Sequence, residues 1–318
     1  MRLIDMHCDT FWLMMQKQGV GLQKNDLCID IEKMKAAGSM AQFFASFIHM
    51  SRFEGEHAIE ESYQYALEMI AYGKAELEKC SDSIATAHDY EELIANRDSG
   101  KMSAILTLEE GGIINNKMEY LEELYCKGIR LITLTWNYEN CIGYPNSREP
   151  KLMELGLKPF GIEVIKRMNE LGMMIDVSHL SDGGFWDVIK HSTKPVVASH
   201  SNARALCSHP RNLTDEMIKA LAEKGGVAGV NFYPHFLHES GKATVADIAK
   251  HAWHLYQVGG EDVVVIGTDF DGFDEGELDI AHMGEMNRVY DAMKKRGFTE
   301  RQMEKILNGN ILRVMQAQ

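Results

Sequence analysis

The chain has 318 residues, 45% of them hydrophobic, and sets 33 Lys and Arg against 47 Asp and Glu for a formal net charge of −14. That balance excludes a polyanionic partner, because nucleic acids and anionic membrane surfaces recruit Lys/Arg-rich faces. A small-molecule substrate is expected, with no nucleic acid and no membrane as partners, and self-association into a homodimer is left open.

The six Cys residues, Cys8, Cys28, Cys80, Cys126, Cys141 and Cys207, are scattered without a CxxC pair, which suits reduced thiols. Met1-Arg2-Leu3-Ile4-Asp5-Met6-His7 shows no signal-peptide pattern, and no run is apolar enough to span a bilayer. The expected protein is soluble and cytoplasmic.

Along the chain, short apolar runs alternate with longer amphipathic stretches. The runs are Leu3–His7, Met40–Ile48, Ser103–Glu109, Ile129–Thr135, Met173–Ser178, Pro195–His200, Gly226–Asn231 and Val263–Thr268. Their length and two-sided hydrophobicity predict buried parallel strands. Helical patterns lie between them: Glu56–Lys79, a segment opening at Pro159, and a last stretch with a Thr299/Gln302 capping box that is expected to end near Gly309. No linker, repeat or low-complexity tract divides the sequence, so one domain spanning 1–318 is predicted. The first strand lacks the Gly-rich phosphate turn of a doubly wound sheet. The expected fold is therefore α/β, a (β/α)8 TIM barrel.

Polar residues stand where these runs end: His7 and Asp9, Glu110, His179, His200 and Asp269. A barrel gathers the C-terminal ends of its strands at one mouth, where such enzymes keep their active sites. Three His, two Asp and one Glu make a nitrogen and oxygen set suited to Zn²⁺, with Mn²⁺ or Fe²⁺ as competitors. Taken alone, His7-Cys8-Asp9 could equally be a histidine bonded to a neighbouring carboxylate. His251 and His254, three apart on a helix, read as a solvated face. His49 and the remaining His lack a partner at a strand end, and the 20 Met read as flexible core filler.

Taken in order, these motifs resemble the membrane (renal) dipeptidases, peptidase family M19 of the amidohydrolase superfamily, as a bacterial-type member. The resemblance rests on Ile4-Asp5-Met6-His7-Cys8-Asp9, Glu110-Gly111-Gly112, Asp176-Val177-Ser178-His179, Ser199-His200-Ser201 and Gly267-Thr268-Asp269-Phe270-Asp271-Gly272. It implies that His7 and Asp9 hold one metal, that His179 and His200 hold a second, and that Glu110, just before Gly-Gly, bridges the two. It further implies that Asp269 shuttles a proton, that Arg211 clamps a substrate carboxylate and that Tyr233 contacts substrate. The vertebrate members carry a substrate-contacting His after the segment matching Leu131–Thr135, where this sequence has Trp136-Asn137.

The expected activity is zinc-dependent hydrolysis of dipeptides, including those with a C-terminal D-residue. The competing readings are a binuclear amidohydrolase acting on N-acyl amino acids or lactams, and a metal or peptide binder without turnover. For Arg211, the alternative is a surface pair with Asp215.

Overall fold

The computed structural model describes residues 1–17 and 19–318. Eight parallel strands close into a barrel: β1 (Leu3–Asp5), β2 (Ser39–Phe47), β3 (Met102–Glu109), β4 (Ile129–Thr133), β5 (Met174–Asp176), β6 (Val197–Ala198), β7 (Val227–Val230) and β8 (Val264–Ile266). Each pairs with its neighbours in chain order. The seam closes where Asp5 of β1 lies opposite Ile266 of β8. All eight strands fall within the stretches read from sequence, give or take one residue at the start of β2 and β3. Most stop earlier, because the polar residues beyond them belong to the loops. An additional strand, Ile84–Thr86, pairs with the start of β3 outside the ring.

Alternation along the strands builds two layers. Phe43, Ile105, Leu131, Met174, Val197, Val227 and Val265 fill the barrel, and Ile311, Val314 and Met315 of the C-terminal helix close its N-terminal end. Neighbours of opposite parity, such as Phe44, Leu106, Ile132 and Val264, pack outward under the helices. The helix Ala58–Lys79 turns Tyr63, Ala66, Ile70 and Leu77 inward, the spacing of a helix with one apolar face. Among the described residues, no helix is long and apolar enough to cross a membrane.

The last amphipathic stretch departs from expectation. Its capping box at Thr299 and Gln302 forms, but the chain does not stop near Gly309. It passes through a wide π turn, Lys305–Gly309, and continues as helix to Gln316. Buried Asn310 follows the turn and donates to the carbonyls of Glu261 and Val264. Inserted turns of this kind are tolerated where they satisfy such partners.

Candidate metal centre and active site

The carboxylate of Glu109, the last residue of β3, stands between two groups of side chains. Its Oε2 is 3.4 Å from His7 Nε2, which lies 3.4 Å from Asp9 Oδ2 and 3.8 Å from Asp269 Oδ1. Its Oε1 is 3.0 Å from His179 Nε2 and 3.6 Å from His200 Nε2, two atoms themselves 3.1 Å apart. His179 and Asp269 reach this point from left-handed backbone, at φ 66° and 61°, a conformation that costs a side-chain-bearing residue about 1–3 kcal/mol and persists where a site demands it.

The position expected for Glu110 is occupied by Glu109. Strand parity is the reason, since Ile105, Thr107 and Glu109 share the inward face. Glu110 turns away at φ 91°, and its carboxylate accepts from Gly112 N at 2.7 Å, Trp136 N at 3.0 Å and Asn140 Nδ2 at 2.6 Å. A β-carbon at Gly112 would collide with Glu110 Oε1, so Gly112 leaves room for this carboxylate, whereas one at Gly111 would meet Ile142 and the Leu134 carbonyl. His7 and Asp9 do converge, from the loop that follows β1 at Asp5. Asp9 stands at the first position before the helix Thr10–Gln16, with no capping hydrogen bond from its side chain.

Burial disfavours charge throughout this cluster. It holds His179 and His200 well below the usual imidazole range, with Arg211 and His7 adding to the effect. Burial pulls His7 down as well, but Glu109 and Asp9 outweigh it and leave the ring well above that range. Burial raises the carboxyls of Glu109 and Asp269 against the opposing influence of His7. Asp9 Oδ1, Glu109 Oε1 and both ring nitrogens of His7 are buried without a hydrogen-bond partner among the described residues. Unpaired polar atoms in an interior cost about 1–3 kcal/mol each, whereas a divalent cation would satisfy these together. Donor atoms of His7, Glu109 and His200, and of His7, Asp9 and Asp269, each gather within 4.8 Å. The residues present fit a divalent metal.

The cluster opens into a cavity of about 460 Å³. Trp12, Phe47, His49 and Trp136 form one aromatic group along it, with Trp136 at 4.9 Å from Phe47 and 4.7 Å from His49. Tyr233, Phe236 and Phe273 form a second.

The model of the membrane dipeptidases, peptidase family M19, matches residues 1–318. The chain belongs to that family. Metal-dependent dipeptidase function comes with the membership. An uncharacterized dipeptidase of Schizosaccharomyces pombe is 31% identical over 90% of this chain and 71% of its own length. An uncharacterized Klebsiella pneumoniae protein from the region 5′ of pqqA is 34% identical over 78% of this chain and 91% of its own. Among solved structures, the metallopeptidase dipeptidase AC superposes with a TM-score of 0.90 at 26% identity, covering 100% of this chain and 98% of that one. A Rhodobacter sphaeroides metallopeptidase, crystallised with a phosphinate mimic of L-Ala-D-Ala, shares the fold at TM-score 0.89 and 24% identity, over 100% and 99% of the two chains.

In this M19 dipeptidase, Arg211 is buried beside His200. Its guanidinium donates to Ser201 Oγ at 3.1 Å and to the His200 carbonyl at 3.2 Å, while its Nε finds no partner among the described residues. The pair with Asp215 does not form, since Asp215 instead meets His254 Nε2 at 2.7 Å. Tyr233 lines the cavity half-buried, its backbone N–H bonded to Asn231 Oδ1. Asn231 also donates to Asp269 Oδ2 at 2.9 Å. His251 is fully buried rather than solvated, accepting from Ala203 N on Nδ1 and facing the Leu237 carbonyl with Nε2.

Sequence reading passed over His49 and Asn137. His49 enters the aromatic wall because β2 ends at Phe47 beside the mouth and the chain carries His49 on from there. Asn137 Oδ1 lies 3.3 Å from His179 Nδ1, where it orients the ring. Strand parity could have identified Glu109, but no local pattern marks the aromatic walls.

Proposed function

We propose that this M19 dipeptidase hydrolyses the peptide bond of free dipeptides with two divalent ions, zinc in the first instance. His7, Asp9 and Glu109 would hold one, and Glu109, His179 and His200 the other. The single observation carrying the reading is that the two oxygens of Glu109 face different imidazole groups, the arrangement a shared ligand requires. Ions bound there would activate a water and polarise the scissile carbonyl.

The chain's own residues supply the rest. Burial raises the Asp269 carboxyl, so it can take a proton from the attacking water and return it to the leaving amine, provided the reacting atoms lie within hydrogen-bond reach. The unpaired edge of Arg211 suits a substrate carboxylate. A cavity of about 460 Å³ lies in the range for small ligands. A folded protein chain is too large to enter it.

The test is to strip the protein with chelator, reload it with zinc, cobalt or manganese, and assay free, amidated and N-acetylated dipeptides, L-Ala-D-Ala included. Two ions per chain and turnover confined to free dipeptides are expected. A fully active protein with one ion per chain would overturn the two-ion centre, and preference for N-acetylated substrates would overturn the dipeptide reading. Asp269→Asn should keep both ions and lose most of kcat; loss of an ion would make Asp269 a ligand instead.

A further inference from the structure

Four polar residues of the Asp176–His179 and Ser199–Ser201 motifs have no part in the mechanism: Asp176, Ser178, Ser199 and Ser201. All are buried inside the barrel. Asp176 accepts from Thr133 Oγ1 and Ser199 Oγ at 2.6 Å each, from Ser199 N at 2.8 Å and from Ser178 N at 3.0 Å. Four donors on two oxygens leave this carboxylate able only to accept.

That constraint propagates. Ser199 has one hydroxyl proton and must give it to Asp176, yet its oxygen is also 2.6 Å from His200 Nδ1. Nδ1 must therefore carry the proton and donate to Ser199. His200 Nε2 is then the bare nitrogen, and it is the one facing Glu109.

The same logic orders the serines. Ser199 Oγ lies 3.3 Å from Ser178 Oγ, which lies 3.4 Å from Ser201 Oγ, which accepts from Arg211 at 3.1 Å. A guanidinium can only donate. Every hydroxyl in the file consequently points the same way, from the cation of Arg211 to the anion of Asp176. Hydrogen bonds aligned head to tail polarise one another.

We infer that Ser199 is a positioning residue: held by Asp176 and backed by the Arg211–Ser201–Ser178 file, its hydroxyl fixes His200 in the Nδ1–H form that offers Nε2 to a metal. The inference rests on the proposed role of His200 as a ligand. It concerns the imidazole before any ion or peptide arrives.

Tautomers are read directly from long-range ¹H–¹⁵N correlations of metal-free protein labelled in histidine, with His200 assigned by loss of its signals in His200→Gln. The parent should show Nδ1–H at His200. Ser199→Ala should lose that preference and bind the second zinc equivalent about tenfold or more weakly, measured by competition with a chromophoric chelator, whereas Ser199→Thr should retain both properties. Ser201→Ala cuts the file only at Arg211, so it should keep the tautomer and move zinc affinity less than Ser199→Ala does.

An Nε2–H form in the parent overturns the inference even if no variant folds. So does a folded Ser199→Ala protein with unchanged tautomer and zinc affinity, or a larger effect from Ser201→Ala. No peptide enters these measurements. Failure to turn over dipeptides would defeat the proposed function and leave this inference standing, while turnover with an unmoved tautomer would do the reverse.

Discussion

Gly272 is packed against Asp9 so closely that a β-carbon on it would overlap the carboxylate Oδ2, and the same carbon would strike Asp269 Oδ1. A glycine in the loop after β8 therefore sets the space in which two acidic groups from opposite ends of the sequence meet. We expect Gly272→Ala to lower the metal content recovered after reloading, chiefly at the His7/Asp9 position, with far-ultraviolet circular dichroism unchanged. Full metal content in a folded variant would show that the carboxylates can step aside at no cost.

Glu109 and Glu110 should separate cleanly. Glu109→Gln removes the only carboxylate that, among the described residues, reaches both imidazole groups, and activity and metal binding should fall together by at least about a hundredfold, or ~2.7 kcal/mol. Glu110→Gln should keep both ions, yet lose stability by roughly 1–3 kcal/mol, because the amide cannot accept from all three N–H donors. Equal metal loss in both variants would contradict the division of roles.

For Arg211, the informative experiment pairs enzyme and substrate changes. Arg211→Met should reduce kcat/KM for free dipeptides by roughly 2–4 kcal/mol of lost charge-assisted binding. Amidated dipeptides bring no carboxylate and should respond little to the substitution. A coupling energy near zero in this cycle, with the variant folded and metal-loaded, would remove Arg211 from the substrate's carboxylate end.

His251 should impose a pH dependence on stability. Burial lowers its pKa from 6.5 to about 4, and the backbone N–H of Ala203 occupies the lone pair of Nδ1. Below pH 6.5 the unfolded chain binds the proton more readily, so this contribution to stability is complete above that pH and declines as pH falls towards 4. The full loss is roughly 3 kcal/mol. The difference in Tm between the parent and His251→Gln, both metal-free, should therefore shrink on acidification through this window. A difference independent of pH would refute the assignment.

How far the sequence could be read depended on the range of the interactions involved. Strand positions follow from local hydrophobic runs, and all eight fell where Leu3, Ile129 or Val264 and their neighbours predicted. The strand-end histidines followed from the same pattern. The choice between Glu109 and Glu110 turned on one residue of register, where Gly111-Gly112 was the more conspicuous mark and the parity of Ile105 and Thr107 was the decisive one. The wall of Trp12, Phe47, His49 and Trp136 was not legible, because it is assembled from three segments separated in sequence: the helix after β1, the end of β2 with the turn that follows, and the loop after β4. The burial of His251 was hidden for a similar reason: its partners, Ala203 and Leu237, are distant in sequence.

The seam where β1 meets β8 has a further consequence. His7 and Asp9 stand at the very start of the chain and Asp269 lies beyond its last barrel strand, so an ion held among them would fasten the two ends of the ring like a clasp. A ligand that binds only the closed form adds RT ln(1 + [L]/Kd) to its stability. That gain falls on one hydrogen-bonded edge, between Asp5 and Ile266, where the polypeptide must join its first-made strand to its last. Metal supply in such a barrel bears on assembly as well as on chemistry, and the apo ring should open first at this edge.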